Sequence, residues 1–413
     1  MTVSRLQAPR WGHPASLLPS PTVTRERVVV GIAGAGYGAW LHINGYRKVH
    51  GIDVELRAVA DVDSRRASDM AHTYGFEKAV DSFDDLLADD EIDVIDICTP
   101  PSAHLDMVGR ALAAGKHVIC EKPLTGYFGR PGDPEPVGSV PKSRMYEQVV
   151  EDLDRLRSAV ESSGRRFMYA ENFVYSPLVQ MSADIIRAKG SRILLMKGEE
   201  SLKGSSSPVA GEWKHTGGGS LIRIGSHPLG GALWLKQQEA RARGERIGVA
   251  SVVAETGRVT DGLSGDELRH ITARPVDVED FASVTITFTD GSKALIVASD
   301  TSLGGTRNLL EIYCNDAVLD ANLTPTNMLE TYFLDEEGIE DFQLAEMLPS
   351  KLGWNKAFVA DEVIRGYTAE IQDFMETVAH DREPLSGFDL AADVTRVIYA
   401  AYLSAEEGRR VEL

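Results

Sequence analysis

The chain has 413 residues, of which 43% are hydrophobic and 25% charged, values typical of a soluble globular protein. The formal net charge of −19 at pH 7 argues against sequence-independent nucleic-acid binding and against adsorption to anionic membranes, because both need a basic surface. A length of 413 residues is more than one hydrophobic core usually supports, so two domains are expected.

The amino terminus contains four prolines within its first 21 residues and no continuous apolar run. Residues 1–26 are therefore predicted to form a flexible arm rather than a secretory signal. No stretch of the chain approaches the roughly 18 apolar residues of a membrane span. The three cysteines, Cys98, Cys120 and Cys314, lie far apart and show no zinc-ligand spacing. We expect a cytoplasmic protein without a bound metal.

Short apolar runs alternate with helical stretches from residue 27 onward, beginning with RVVVGIAGAG, VELRAVAD and IDVIDICTPP. This alternation predicts an α/β domain with a doubly wound parallel sheet of the Rossmann type over residues 27–125. The following stretch, 126–148, begins with a Gly- and Pro-rich run and is predicted to be an insertion and linker.

Residues 149–413 have a different pattern. A long amphipathic helix is followed by strand-like runs joined by short turns, among them RFMYAENF, ASVTITFTD and SKALIVAS, and the tail is helical again. We therefore predict a second, α+β domain with a large, mostly antiparallel open sheet.

The glycines after the first strand form a recognisable turn. Gly34, Gly36 and Ala39, with Tyr37 between them, fit the pattern G-x-G-x-x-G/A between a strand and a helix. The first glycine permits the turn, the second allows close backbone approach, and the phosphates bind at the helix N-terminus. The segment predicts a dinucleotide site.

Asp61 ends the second strand, 27 residues after Gly34. A carboxylate in this place accepts hydrogen bonds from the adenosine ribose. Asp61 and Asp63 would repel a 2′-phosphate, which favours NAD, whereas Arg65 and Arg66 lie near enough to keep NADP possible. A solvated helix start is the alternative role of the two arginines.

Two further segments carry residue types that suit chemistry. CEKPL places Lys122 at the carboxyl end of a predicted parallel strand, where ligands bind in open α/β sheets. GGGSLIRIGSH places Arg223 and His227 four residues apart, so they share a face if the segment is helical. Histidine suits general-base catalysis near neutral pH, and a lysine can stabilise a developing alkoxide.

In combination, these motifs resemble the Gfo/Idh/MocA oxidoreductases from about residue 27 to the carboxyl end. The resemblance rests on GIAGAGYGAWLH, ADVDSRRA, DICTPPSAH, CEKPL, YAENF, the GGG…GSH segment and SAEEGRRVEL. It implies that residues 149–413 bind the substrate and form a homodimer or homotetramer through the open sheet. It also implies a small carbohydrate or cyclitol substrate.

The resemblance implies roles for individual residues as well. Gly34, Gly36 and Ala39 would hold the pyrophosphate, and Asp61 the ribose. Lys122 would contact both the nicotinamide ribose and the substrate, and His227 matches the catalytic histidine. Five other positions would contact the cofactor or lie beside the nicotinamide: Thr99, Pro100, His104, Glu121 and Asn172.

Two positions depart from the family pattern. An aspartate is usual four residues before the histidine, where this chain has Arg223, and an arginine is common where it has Val174. One hypothesis is that Arg223 takes part in the active site by recognising an anionic or polyhydroxylated substrate through its planar guanidinium. The alternative is that it turns away and pairs with a structural acid.

The loop 201–216 precedes the glycines and is predicted to line the substrate side, where Trp213 could stack on a sugar ring. An ordinary loop position is the alternative for Trp213.

The leading functional hypothesis is an NAD(P)-dependent dehydrogenase that oxidises a secondary alcohol of a sugar, glycoside or cyclitol, with His227 as base and Lys122 assisting. One alternative is an enzyme that retains NAD and cleaves or epimerises a glycoside by transient oxidation. The other is a non-catalytic sugar-binding or regulatory protein on the same fold.

Overall fold

A computed structural model describes residues 27–324, 329–341, 344, 345, 348 and 350–413. The predicted amino-terminal arm, 1–26, lies outside the described residues.

The first sheet has six strands, all parallel, in the order β3-β2-β1-β4-β5-β6. They are β1 (Arg27–Ala33), β2 (Asp53–Ala60), β3 (Lys78–Val80), β4 (Val94–Ile97), β5 (His117–Glu121) and β6 (Phe167–Ala170). The strand order reverses between β1 and β4, and ligands of open α/β sheets bind at such a reversal.

Five helices belong to this part of the chain: α1 (Tyr37–Tyr46), α2 (Ser64–Tyr74), α3 (Phe83–Leu87), α4 (His104–Ala113) and α5 (Lys142–Ser163). Local sequence sets their ends. The Asp63 side chain caps α2 by accepting from the backbone N–H of Arg65, and Gly75 ends the helix in the left-handed region at φ 81°.

The remaining strands are β7 (Ile193–Ser201), β8 (Val249–Gly257), β9 (Phe281–Phe288), β10 (Lys293–Ser299), β11 (Arg307–Cys314), β12 (Val318–Asn322), β13 (Leu329–Phe333), β14 (Gly353–Ala357) and β15 (Val411–Glu412). Seven of them form a second sheet in the order β12-β11-β7-β10-β9-β8-β15, in which only the β7–β10 pair is parallel. Strands β13 and β14 form a separate antiparallel pair.

Six helices accompany the second sheet: α6 (Pro177–Lys189), α7 (Trp213–Thr216), α8 (Ser226–Arg243), α9 (Asp361–Ile364), α10 (Tyr367–His380) and α11 (Phe388–Glu407). Helix α8 is buried along most of its length, and α11 packs against α5 and β8. Helix α10 crosses to the first sheet and packs on α1. Within the described ranges, no helix is both long and apolar enough to cross a membrane.

The predicted fold class is confirmed, but one strand was assigned to the wrong sheet. RFMYAENF was expected in the second domain, whereas Phe167–Ala170 pairs with β5 and completes the first sheet. All four of its residues are buried, as is typical of a parallel strand that is covered on both faces. Because apolar and polar residues do not alternate along this strand, its sequence does not indicate which sheet it joins. A first domain ending at residue 125 therefore omits the last strand of its sheet.

The predicted insertion has no regular element before α5 except a short 3₁₀ turn at Val137–Ser139. It packs against the second half of the chain. Tyr127 is buried, its backbone N–H donates to the Tyr399 hydroxyl, and its carbonyl accepts from the indole of Trp213. The insertion thus joins the two sheets structurally.

The contact between α1 and α10 gives a test of the packing. A Cβ atom at Gly45 in α1 would lie 2.6 Å from Cγ1 of Ile371 in α10. We expect Gly45→Ala to lower the free energy of unfolding by about 1–3 kcal/mol, because overpacking forces the two helices apart. Urea denaturation measures this change.

Gly109 is the matched control, because it lies in α4 and an added Cβ would meet nothing within 4 Å. Gly109→Ala should raise stability by about 0.5–1 kcal/mol through helix propensity alone. Equal effects of the two substitutions would contradict the packing argument.

Candidate functional site

The glycine turn after β1 opens the site. Gly34 has φ 98°, and its backbone N–H donates to the Ala60 carbonyl at 2.7 Å. A Cβ at Gly34 would meet the Cys98 carbonyl oxygen at 2.6 Å, so only glycine fits. Gly36 has open space around it and precedes α1 with no side-chain cap, while Ala39 is fully buried. The first N–H groups of an α-helix have no acceptor within the helix, and such a helix start suits a pyrophosphate.

A cavity of about 350 Å³ lies beside this turn. It brings together six of the residues predicted to bind the cofactor: Gly34, Gly36, Asp61, Arg66, Thr99 and Pro100. Tyr37 lies outside it, on the wall of a neighbouring cavity of about 310 Å³, and its ring stacks on Trp40. The donors and the open space over Gly36 fit a dinucleotide.

Asp61 has a structural part in the turn. Its carboxylate accepts from the backbone N–H of Ala35 at 2.8 Å and of Asp63 at 2.8 Å. Arg66 donates to the same carboxylate at 2.9 Å, which restrains this cation on the wall of the cofactor cavity. A carboxylate has about four acceptor positions, so Asp61 keeps capacity for a ribose hydroxyl.

Glu121, at the end of β5, lies over a buried histidine. His42 Nε2 is 3.3 Å from the Glu121 carboxylate, and His42 Nδ1 is 2.9 Å from Asp96, which also accepts from the Tyr46 hydroxyl. Burial lowers the pKa of His42, but Asp96 and Cys98 raise it well above the usual value. Burial raises the pKa of Glu121, and contact with His42, Lys122 and His227 lowers it to about 2. Glu121 is therefore ionised.

His104 links two turns beside the site. Its side chain has no exposed surface, and its two ring nitrogens lie 2.8 Å from the Pro123 carbonyl and 2.9 Å from the Thr99 carbonyl. It thus ties the turn after β4 to the cis Lys122–Pro123 turn after β5. His104 is not among the described residues that line the cavity beside Gly36, and its contact with the cofactor stays a prediction.

The segment GGGSLIRIGSH turns into a π-helix at Leu221–Gly225 before α8 begins at Ser226. A buried carboxylate, Glu279, holds its start by accepting from the N–H groups of Gly219 and Leu221 at 2.9 Å each and from the Tyr402 hydroxyl. Burial raises the pKa of Glu279 to about 7, although these donors lower it. π-Helical turns are frequent at functional sites.

The structure settles where Arg223 points. Its guanidinium pairs with Asp300, which lies just after β10, at 2.7 and 3.3 Å, and only 17% of its side chain is exposed. This contact matches the alternative in which Arg223 turns away and pairs with a structural acid. Arg223 and His227 therefore contact different carboxylates. The Arg223 backbone carbonyl accepts from Lys122 Nζ at 2.5 Å. Arg223 therefore contacts Lys122 through its main chain, while its side chain contacts Asp300.

His227, at the start of α8, forms the other polar link across the site. Its Nδ1 lies 2.8 Å from Oε1 of Glu171, a fully buried carboxylate after β6, whose Oε2 has no partner among the described residues. The Phe173 ring stacks on the imidazole at 5.3 Å. Gly230 makes room, because a Cβ there would lie 2.7 Å from Glu171.

Two predicted ligands are held by the protein itself. Asn172 is 3% exposed, and its amide donates to the Arg365 carbonyl at 2.8 Å. Trp213 is 2% exposed, donates to the Tyr127 carbonyl and packs against Tyr402. The Trp213 ring is therefore part of the core, and the stacking of a sugar on it stays a prediction.

Sequence reasoning missed Glu171, His42 and Asp96. Two of the three had a signal: Glu171 and Asp96 are acids in or directly after apolar strands, where a buried carboxylate needs a partner. Within the described ranges, His42, Asp96 and Cys98 are also close enough to hold a metal ion. Their proximity is already explained by the hydrogen bonds that they form with one another.

The glycine turn and the cavity at the strand reversal are typical of a Rossmann-type dinucleotide-binding domain. Comparison with known families agrees. Residues 28–129 match the GFO_IDH_MocA oxidoreductase family with an NAD-binding Rossmann fold, and residues 197–320 match the GFO/IDH/MocA C-terminal domain. The two matches cover more than half of the chain, which belongs to the Gfo/Idh/MocA family of NAD-binding oxidoreductases.

Individual relatives are distant. The D-apiose dehydrogenase of Paraburkholderia graminis is 23% identical over 96% of this chain and 92% of its own length. The levoglucosan dehydrogenase of Pseudarthrobacter phenanthrenivorans is 24% identical over 68% of each chain. Among solved structures, GenD2 from gentamicin A biosynthesis in complex with NAD has a TM-score of 0.74 at 24% identity, covering 96% of this chain and 99% of its own.

Asp61 gives a test of cofactor choice. Asp61→Ser removes the carboxylate that repels a 2′-phosphate and frees Arg66 to bind one. We expect the ratio of kcat/KM for NADP to kcat/KM for NAD to rise at least about tenfold. Adding Arg66→Ala should reverse the gain, and an unchanged ratio in Asp61→Ser would show that Asp61 does not choose the cofactor.

Glu279 gives a test of stability against pH. Its folded-state pKa of about 7 is above the ordinary value, so the folded chain binds one more proton than the unfolded chain between these values. Stability therefore falls as pH rises from about 4.5 to 7, by about 1.4 kcal/mol per pH unit, and Glu279→Gln should remove this part. Urea denaturation at pH 5, 6 and 7 measures this dependence of stability on pH.

Glu161→Gln, on an exposed helix face, is the control and should keep the wild-type change of stability with pH. If Glu279→Gln also kept the wild-type change, the raised pKa would not belong to Glu279.

Proposed function

We propose that the protein oxidises a secondary alcohol of a sugar, glycoside or cyclitol with NAD(P), and that His227 is the general base. The observation that carries the proposal is the Glu171–His227 pair, which lies beside the end of the strand that carries Lys122. Relatives named D-apiose, levoglucosan and inositol dehydrogenases support the substrate class.

The bound nicotinamide supplies the hydride acceptor. The chain supplies the handling of the proton. If His227 donates Nδ1–H to Glu171, its Nε2 lone pair is free to take the hydroxyl proton of the substrate, while the carbon–hydrogen bond breaks and a carbonyl forms. Glu171 then stabilises the imidazolium. Because the carbonyl of Arg223 accepts only one N–H of Lys122, the ammonium keeps two donors for the substrate oxygen.

Glu171 takes the place of the aspartate that the family pattern has at position 223. It is a positioning residue, since it acts through His227 and not on the substrate. A buried carboxylate on the second nitrogen of a histidine fixes the ring orientation and tautomer. The Arg223–Asp300 pair is consistent with this change of partner for the histidine. Position 223 has an arginine in place of the family carboxylate, and this arginine pairs with Asp300 and not with His227.

The test begins with sugars, glycosides, uronates and inositols supplied with NAD or NADP, following absorbance of the reduced cofactor. Net reduction supports the dehydrogenase and excludes an enzyme that only recycles its bound NAD. If product forms without net reduction, the cofactor-retaining alternative holds. If no carbohydrate is altered, a binding role on the same fold holds.

On an active substrate, we expect His227→Ala to lower kcat by about 100- to 10,000-fold, the usual range for a lost general base. His72→Ala, in an exposed turn of α2, should match the wild type. Glu171→Gln should lower kcat by roughly 100-fold with little change in KM, and Glu171→Asp should recover part of it. An equal rise in KM and loss of kcat in both Glu171 variants would indicate a structural role only.

A further inference from the structure

A cavity of about 870 Å³ lies beside the second sheet and is not accounted for by the cofactor or by the proton transfer. Its walls are the loop after β7, the long loop before β9, the turn between β10 and β11, the end of β12 and strand β14. We call it the basic cavity. Its volume lies within the range of ligand sites that bind drug-sized molecules.

The charge of the basic cavity is opposite to that of the protein. The chain has 62 acidic and 43 basic residues, yet no Asp or Glu is found among the described residues that line this cavity. The cationic side chains on its wall are Lys203, Arg269, Arg274, Arg307 and Lys356, and His270 lies beside them.

Among the described residues, most of these cations have no carboxylate partner. Arg307 pairs with Glu199 at 3.2 Å. In the same part of the chain, Arg269 and Arg274 donate to backbone carbonyls and to His270, and no ion pair of Lys203 or Lys356 is found. Like charges gathered in one cavity repel one another, and an anion would relieve this repulsion.

The basic cavity shares wall residues with two smaller cavities. It shares Thr272 and Arg274 with a cavity of about 240 Å³ that Arg223 and Asp300 line. On the other side it shares Ala345 and Phe358 with the cavity that Tyr37 and Arg365 line. The carbonyl of Arg223 holds Lys122, and the carbonyl of Arg365 holds Asn172, the neighbour of Glu171.

We propose that the basic cavity binds an anionic group, a carboxylate or a phosphate, on the sugar or glycoside that the enzyme oxidises. The inference rests on the proposed function for the identity of the reacting part. Lysine and arginine supply the charge-assisted hydrogen bonds that such groups accept. Trp354 lies on the cavity wall and is 74% exposed, so its ring offers an aromatic surface on which a sugar can stack. The buried ring of Trp213 offers no such surface.

The experiment uses calorimetry to measure the equilibrium binding of matched probes to the NAD-loaded protein. The pairs are D-glucuronate or D-glucose 6-phosphate against D-glucose, and 4-nitrophenyl β-D-glucuronide against the corresponding glucoside. We expect at least one acidic member to bind about tenfold tighter than its neutral partner in low salt, and the preference to shrink when salt is raised, because ions screen exposed charges.

The double variant Lys203→Met, Arg274→Met should abolish that preference and leave the binding of the neutral probe unchanged. Lys293→Met, at the opposite end of β10, is the matched control for loss of a cation and should keep the wild-type preference. Whether the carboxylate or the phosphate member responds tells which anion the cavity takes.

Equal binding of acidic and neutral members, or a preference that survives the double variant, would overturn the inference. Its failure is distinguishable from failure of the proposed function. Neutral sugars that reduce NAD without any acidic preference would refute the anion site alone. Acidic probes that bind through Lys203 and Arg274 but never lead to NAD reduction would refute the oxidation and leave the site standing.

Discussion

The site depends on two polar contacts that cross from the first sheet to one segment of the second half of the chain. Lys122, after β5, donates to the carbonyl of Arg223, and Glu171, after β6, pairs with His227. A buried carboxylate without a partner is costly, so the Glu171 contact fixes the start of α8 against the end of β6. The His227 imidazole and the Lys122 side chain thereby keep one relative geometry.

The surrounding structure protects these two contacts. Glu279 holds the glycine turn that precedes the π-helix, and Asp300 takes the Arg223 side chain away from Lys122. Glu121 is ionised over a buried His42, which places a fixed negative charge beside Lys122. Each of these carboxylates contacts a different group around the site. The acidic residues of the chain therefore help to build the site as well as giving the surface its negative charge.

The substitution of the expected aspartate by Arg223 has a physical explanation in this arrangement. A carboxylate for the histidine is supplied from β6, with the room for it provided by Gly230, and the position on the π-helix is free to serve packing. The cations of the basic cavity, and not Arg223, are then the groups available to an anionic ligand, because Arg223 is already neutralised by Asp300.

Elements with local signals could be predicted from the sequence. The alternation of strands and helices, the glycine turn with Asp61, and the position of Lys122 at a strand end all follow from short-range sterics and periodicity. The pairing of each acid with its base could not be predicted in this way, because it depends on the packing of distant segments. Glu171 and His227 are 56 residues apart, Arg223 and Asp300 are 77 apart, and β6 has no periodicity that tells one sheet from the other. Burial of Trp213 was decided in the same way, because the packing of an aromatic ring depends on neighbours that are distant in the chain.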